Sequence, residues 1–247
     1  MTAQIFQIFY HPSQFDSLDP NFIPYDNTVN PRPEWCEYYI FRKEFFKGTC
    51  AENITGFLSW KFHDKTGVSG TQCLDWIKKK PGHDVYFINP YAQFLRRKSY
   101  KSVWHHGEQC HPGLTPIAQD LMNRAGYDID LAALIMDQSQ TAFCNYWVGT
   151  PAFWKRYIDF CEPIYQLIED DLSKGKNQKL WQPADPSGCC YIPYIFERLF
   201  STLLCADENI SSCGMLIDKR RQRPLAKTIF GDIAKTLRKI RARISRR

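Results

Sequence analysis

The run Tyr191–Leu204, YIPYIFERLFSTLL, constrains the fold of this 247-residue chain more than any other stretch. Ile195, Phe196, Leu199, Phe200, Leu203 and Leu204 recur at helical spacing, so this segment must pack an apolar face against a core. Glu197 and Arg198 interrupt the stripe. A charged pair at the rim of a buried helix needs water, a partner or a task. It reads either as an ion pair at the core edge or as a catalytic device. In the second reading the carboxylate is a general base in a cleft, and the guanidinium orients it or binds an anion.

Strand-like runs at Ile5–Tyr10, Thr55–Trp60 and Val85–Asn89 are each bounded by turn-forming residues. Helical runs at Trp35–Phe46, Thr71–Lys80, Thr115–Ala125, Pro151–Leu172 and Tyr191–Ala206 lie between and after them. That alternation favours an α/β domain over a bundle or a sandwich. Thr150 is a good N-cap ahead of Pro151, and a polar, Gly/Pro-bearing loop separates the last two helices. The expected organisation is one domain over residues 1–206, a linker over 207–218 and a tail over 219–247.

Composition sets the remaining bounds. With 44% hydrophobic and 15% aromatic residues the chain has ample material for a packed core. Its ten cysteines form no CxxC pair and match no zinc-finger spacing, which predicts thiols in a reducing compartment. The N-terminus reads as a first strand rather than a signal peptide, and no stretch is apolar enough to span a bilayer. The net charge of +6 is strongly asymmetric: residues 219–247 carry twelve bases and one acid, leaving the body mildly acidic. In the tail, Ile229, Phe230, Ile233, Leu237, Ile240 and Ile244 share one helical face, with basic residues over much of the rest. This predicts a basic amphipathic helix, lying on an anionic membrane surface or docked on the core. A single aromatic in the tail makes nucleic-acid binding the weaker reading.

Polar residues gather where the strands end, the place at which α/β folds hold ligands. Tyr10 and His11 follow the first strand; Asp26, Asn27, Asn30 and Arg32 form a turn-rich loop leading to Glu37. Lys61 and His63 follow the second strand, and Asn89 closes the third. His105, Glu108 and His111 lie in a Gly/Pro-containing segment that suits a metal, a phosphate, sugar hydroxyls or plain solvent. Asp128 and Asp130 form a D-x-D pair of the type that holds Mn²⁺ or Mg²⁺, but either acid could equally cap a helix. Asn145 among Phe143, Tyr146, Trp147, Trp154 and Tyr157 suggests a sugar-stacking surface, with core packing as the competing explanation.

The order of several short motifs resembles a family of bacterial glycosyltransferases from capsular-polysaccharide and lipopolysaccharide gene clusters. They are the early Asp26-Asn27 loop with Asn30, then Cys36-Glu37, then the Gly56–Lys61 strand. Asn145-Tyr146-Trp147, Cys161-Glu162 and the Phe196–Leu199 helix complete the likeness, over roughly residues 1–205. The resemblance implies a single GT-A-like, Rossmann-like α/β domain that moves a sugar from a nucleotide-sugar donor to a glycan or lipid-linked glycan. It implies inverting chemistry with Glu197 as catalytic base and Arg198 steadying it or the leaving diphosphate. Tyr10, Asp26, Asn27, Glu37, Lys61 and Asn89 are the expected donor contacts; His105, Glu108, Asn145 and Trp147 are the expected acceptor or sugar contacts. The strand that would end in a D-x-D motif ends here in Asn89, so protein side chains such as Lys61, His105 or Arg198 become candidates to neutralise the diphosphate. The expected location is cytoplasmic, peripheral on the inner face of the membrane through residues 219–247. The competing class is a non-catalytic carbohydrate- or RNA-binding protein built on the aromatic stretch and the basic tail.

Overall fold

A computed structural model describes residues 2–96 and 100–217. The expected basic amphipathic tail, 219–247, lies outside the described residues. The chain runs β1 (Ala3–Phe9), β2 (Ile23–Asp26), α1 (Glu37–Phe46), β3 (Ile54–Ser59), α2 (Phe62–Thr66), α3 (Gly70–Lys79) and β4 (Val85–Asn89). It continues through α4 (Gln93–Arg96), α5 (Val103–Cys110), α6 (Leu114–Arg124), β5 (Trp147–Gly149), α7 (Pro151–Ser173), α8 (Tyr191–Ala206) and β6 (Ser212–Leu216).

The six strands form one sheet in the order β2-β1-β3-β5-β4-β6. β1 is parallel to β2 and β3, β4 is parallel to β6, and β5 is antiparallel to both β3 and β4. The amino end of β5 therefore sits among the carboxyl ends of the other five strands. Gly56 permits this junction, because a Cβ there would lie 2.7 Å from the Trp147 carbonyl oxygen.

Side-chain alternation divides the core into two layers. Ile8, Phe57, Val85, Phe87 and Trp147 face a large core shared with helices α1 and α5–α8. Leu58, Tyr86, Ile88, Tyr146 and Val148 face a smaller one with Phe62, Val68, Cys73 and Ile77. As the apolar stripe requires, α8 is sunk in the large core, with Ile195, Phe196, Leu199 and Phe200 at 1% exposure or less. Thr150 caps α7 by accepting from Phe153 N at 3.2 Å.

Two expectations are corrected. The expected linker, 207–218, is corrected over its described residues, 207–217: β6 occupies Ser212–Leu216 and pairs with the whole of β4. The compact unit accordingly ends at Ile217. The histidine segment, expected as a Gly/Pro-containing loop, is for the most part helix α5, capped by Ser102, whose hydroxyl accepts from His105 N at 3.2 Å; His111 follows its last residue. Among the described residues no disulfide joins two cysteines, and no helix is long and apolar enough to cross a membrane.

Candidate functional site

Four strand ends and the start of β5 bring together residues far apart in sequence. Tyr10 follows β1, Asn27 follows β2, Ser59 ends β3, and Tyr91 lies beyond β4. Cys144, Asn145 and Tyr146 lead into β5. The backbone closes this edge: Asn27 N donates to Phe9 O, Trp60 N to Ile8 O and Ile88 N to Tyr146 O, all within 2.9 Å. Three helices then add charge, through Glu37 at the start of α1, Lys65 on α2 and Glu197 on α8.

Glu197 is the electrostatic centre of the group. Its side chain keeps 31% of its surface in contact with solvent, so it can be reached. Burial nonetheless pushes its carboxyl up, against the pull of Arg198; Glu37 pushes the same way and Lys65 opposes, leaving the group at about 7. A carboxylic acid poised near neutrality can exchange a proton at physiological pH, as a general base or acid must.

Lys65 was not singled out by sequence reasoning. Burial works against its charge, but Cys144, Glu197, Tyr91 and Glu37 more than offset that and hold its pKa above the usual value. Its Nζ lies 4.0 Å from Cys144 Sγ and 5.8 Å from the centre of the Tyr146 ring. Tyr146 in turn pairs its hydroxyl with Ser59 Oγ at 3.1 Å, and Tyr10 hydrogen-bonds Glu37. Burial, reinforced by neighbouring acidic groups, raises both phenols, so they are neutral and act as hydrogen-bonding groups.

Two amides at this edge carry buried atoms without a partner among the described residues: Asn27 Nδ2 and Asn145 Oδ1. Asn27 is only 6% exposed. A buried polar atom left unpaired costs about 1–3 kcal/mol, and binding sites are where such a cost is offset by a ligand.

The remaining expected site residues are used differently. Arg198, next in sequence to Glu197, points to another side of α8. It is 4% exposed, and its Nη1 comes no closer than 4.0 Å to Glu197 Oε1. Its Nε donates to Val103 O at 3.1 Å and its Nη1 to Tyr194 O at 2.7 Å. Gly107 makes room for it, since a Cβ there would lie 2.4 Å from Arg198 Nε. Arg198 is thus a buried strut between α5 and α8, although its charge still reaches Glu197.

Asn89 is also structural: it is fully buried, donating to Thr141 O and accepting from Tyr91 N, each at 2.9 Å. Asp26 holds an exposed turn by accepting from Thr28 N and Oγ1. Lys61 is exposed with its Nζ 5.0 Å from the Trp60 ring.

Trp147 is no sugar platform, because it is 1% exposed and packs its ring against Phe41, Phe153, Trp154, Tyr157 and Phe200. Trp154 and Tyr157 are equally buried. Glu108 caps α6, accepting from Gly113 N at 2.6 Å and Thr115 N at 2.8 Å. His105 Nδ1 accepts from Lys101 N, and its Nε2 pairs with Gln109. His106 is enclosed by Phe94, Tyr100 and Phe143, and burial lowers its pKa to about 4.

Asp128 and Asp130 line an open groove with Thr115, Gln119 and Asn123, away from the strand ends. Asp130 Oδ1 is occupied by Ala132 N and Ala133 N at 3.0 and 3.1 Å, which closes a turn; no helix follows, so the expected helix cap is corrected to a turn. Among the described residues no group of three His, Cys, Asp or Glu side chains gathers to hold a metal.

No protein-family model, curated protein or solved structure matches this chain.

Proposed function

We propose that the sheet edge around Glu197 is the active site of a glycosyltransferase that moves a sugar from a nucleotide-sugar donor to a carbohydrate or lipid-linked glycan, with inversion. The observation that carries this reading is the reachable Glu197 carboxyl poised near neutrality among the cations Arg198 and Lys65 and a second carboxylate, Glu37.

In this reading Glu197 accepts the proton of the acceptor hydroxyl as its oxygen attacks the anomeric carbon. Electrons from the breaking glycosidic bond move to the departing diphosphate. Lys65 faces that developing charge, and as a half-buried cation it stabilises a new anion more than a solvated lysine could. Tyr10, Glu37 and Asn27 lie to the β1–β2 side, where Glu37 and the amide can read hydroxyls of the donor. Asn145 stands beside Tyr146 on the other side and takes the sugar or acceptor role.

The basic residues of 219–247 suit an anionic membrane, placing the enzyme on its inner face near a lipid-linked acceptor. The binding-protein alternative loses its main support because the aromatic rings it needs are in the core.

The test is turnover by Glu197→Gln. A panel of nucleotide-sugars is incubated with the protein and released nucleoside diphosphate is measured. Removing a general base lowers the rate by about 10²–10⁴-fold while leaving nucleotide affinity intact. Equal rates for the wild-type and substituted proteins would overturn the assignment of Glu197.

A further inference from the structure

Between α7 and α8 the chain folds into a tight hairpin. Pro183 and Cys190 form an antiparallel bridge, and Ala184 N donates to Cys189 O at 2.7 Å. This places Cys189 against Cys36, the residue that opens α1, with a hydrogen bond between the two thiols. The contact is braced on both sides. Cys36 Sγ lies 3.6 Å from Pro33 O, and Cys190 Sγ lies 3.7 Å from Glu34 O. Cys36 also holds a φ of 45°, a left-handed value that a non-glycine residue keeps only when its surroundings enforce it. Cys36 and Cys189 are half-buried, so a small reagent can reach them.

We propose that Cys36 and Cys189 form a dithiol modification site that reduces a low-molecular-weight disulfide of the glutathione type and closes to an intramolecular disulfide. This proposal does not depend on the transferase reading.

The chemistry follows from the polarity of the contact. The Cys36 thiol donates to Cys189, which brings Cys189 down to about 7; burial opposes this and the Tyr194 hydroxyl assists. Cys36 moves the opposite way, as the donor should. Cys189 is therefore the thiolate nucleophile. Its sulfur attacks one sulfur of oxidised glutathione, the glutathione S–S bond breaks, and the first glutathione leaves as a thiolate that takes a proton from water. Cys36 then loses its proton to solvent and attacks the Cys189 sulfur, expelling the second glutathione. Two electrons pass from the cysteine pair to the reagent, and two molecules of reduced glutathione result.

The consequence is mechanical. Cys36 immediately precedes Glu37, and the Cys189 hairpin leads into α8, which carries Glu197. The crosslink joins the starts of the two helices that supply the carboxylates.

The test treats the full chain with oxidised glutathione and maps its peptides by mass spectrometry. The expected product is a Cys36–Cys189 crosslink, formed equally in Cys190→Ser. In Cys36→Ser a glutathione should instead remain attached to Cys189. Alkylation of Cys189 in the untreated wild-type protein should be half-maximal near pH 7. Absence of the crosslink from the wild-type protein, its loss in Cys190→Ser, or half-maximal alkylation near pH 9 would overturn the proposal.

Discussion

The carboxyl end of the sheet and helix α5 both concentrate polar side chains, and they spend them in opposite ways. Along α5 the charged group is already committed: Glu108 caps α6, His105 is hydrogen-bonded at both ring nitrogens, and His106, although its Nδ1 is unpaired, is held neutral among aromatic rings. At the sheet end, by contrast, Glu197, Glu37 and Lys65 face one another without a close ion pair, and Asn27 and Asn145 hold unpaired buried atoms. A histidine-rich stretch attracts notice in sequence, yet its carboxylate is spent as a cap and His106 is held neutral. Uncommitted charge is the better guide to where a ligand fits.

The same contrast runs through adjacent residues of α8, and it can be broken by substitution. Arg198→Ala should cost about 3 kcal/mol, because it removes the side-chain hydrogen bonds that tie the Val103 and Tyr194 carbonyls together and opens a cavity beside Gly107. Urea melts measure this. A loss below about 1 kcal/mol would mean that Arg198 is not the strut between α5 and α8.

Glu197→Gln should act in the other direction on stability. The folded protein binds the Glu197 proton more tightly than the unfolded chain, whose carboxyl is near 4.5. Below pH 4.5 both states are protonated and the residue costs nothing. As pH rises from 4.5 to 7 the unfolded state gains from ionising, so the native state loses stability, fully by pH 8. The amide removes that loss, so melts at pH 8 should show the variant up to about 3 kcal/mol more stable, with no gain at pH 4. Stability that is equal at pH 8, or lower, would mean that the carboxyl is not strained.

The smallest effect belongs to α5. Glu108→Ala should lower stability by about 1 kcal/mol through loss of the α6 cap and leave turnover unchanged. A large loss of turnover in a folded Glu108→Ala protein would restore α5 to the site and dissolve the contrast.

Much of the scaffold was legible because its periodicities were strong. Val85–Asn89 alternates cleanly between the two core layers and was read to the residue, as was Tyr191–Ala206. The strands that escaped lack such a signal. β2 contains Pro24 and lies at the sheet edge, and β6 reads Ser-Cys-Gly-Met-Leu at the other edge. Helix α5 was hidden by Gly107 and its paired histidines.

The site divides similarly. Glu197 could be found because a charge in an apolar stripe is conspicuous, and Glu37 because it opens a helix after a polar loop. Lys65 could not, since KFHDKTG looks like any solvated turn until α2 folds it toward two carboxylates. Trp147 and Asn89 misled for one reason: sequence shows a residue's capability, but only the packing shows whether that capability is already used.

The central claim is that ligand binding belongs to the sheet end and not to α5. The direct measurement is the melting temperature of the wild-type protein, Lys65→Met and Glu108→Ala, each with and without a panel of nucleoside diphosphates and nucleotide-sugars. A ligand that binds the native state raises the melting temperature by mass action. The account predicts that one nucleotide stabilises the wild-type protein and Glu108→Ala alike, and stabilises Lys65→Met markedly less. A nucleotide shift that Lys65→Met retains and Glu108→Ala loses, or no shift with any nucleotide, would contradict it.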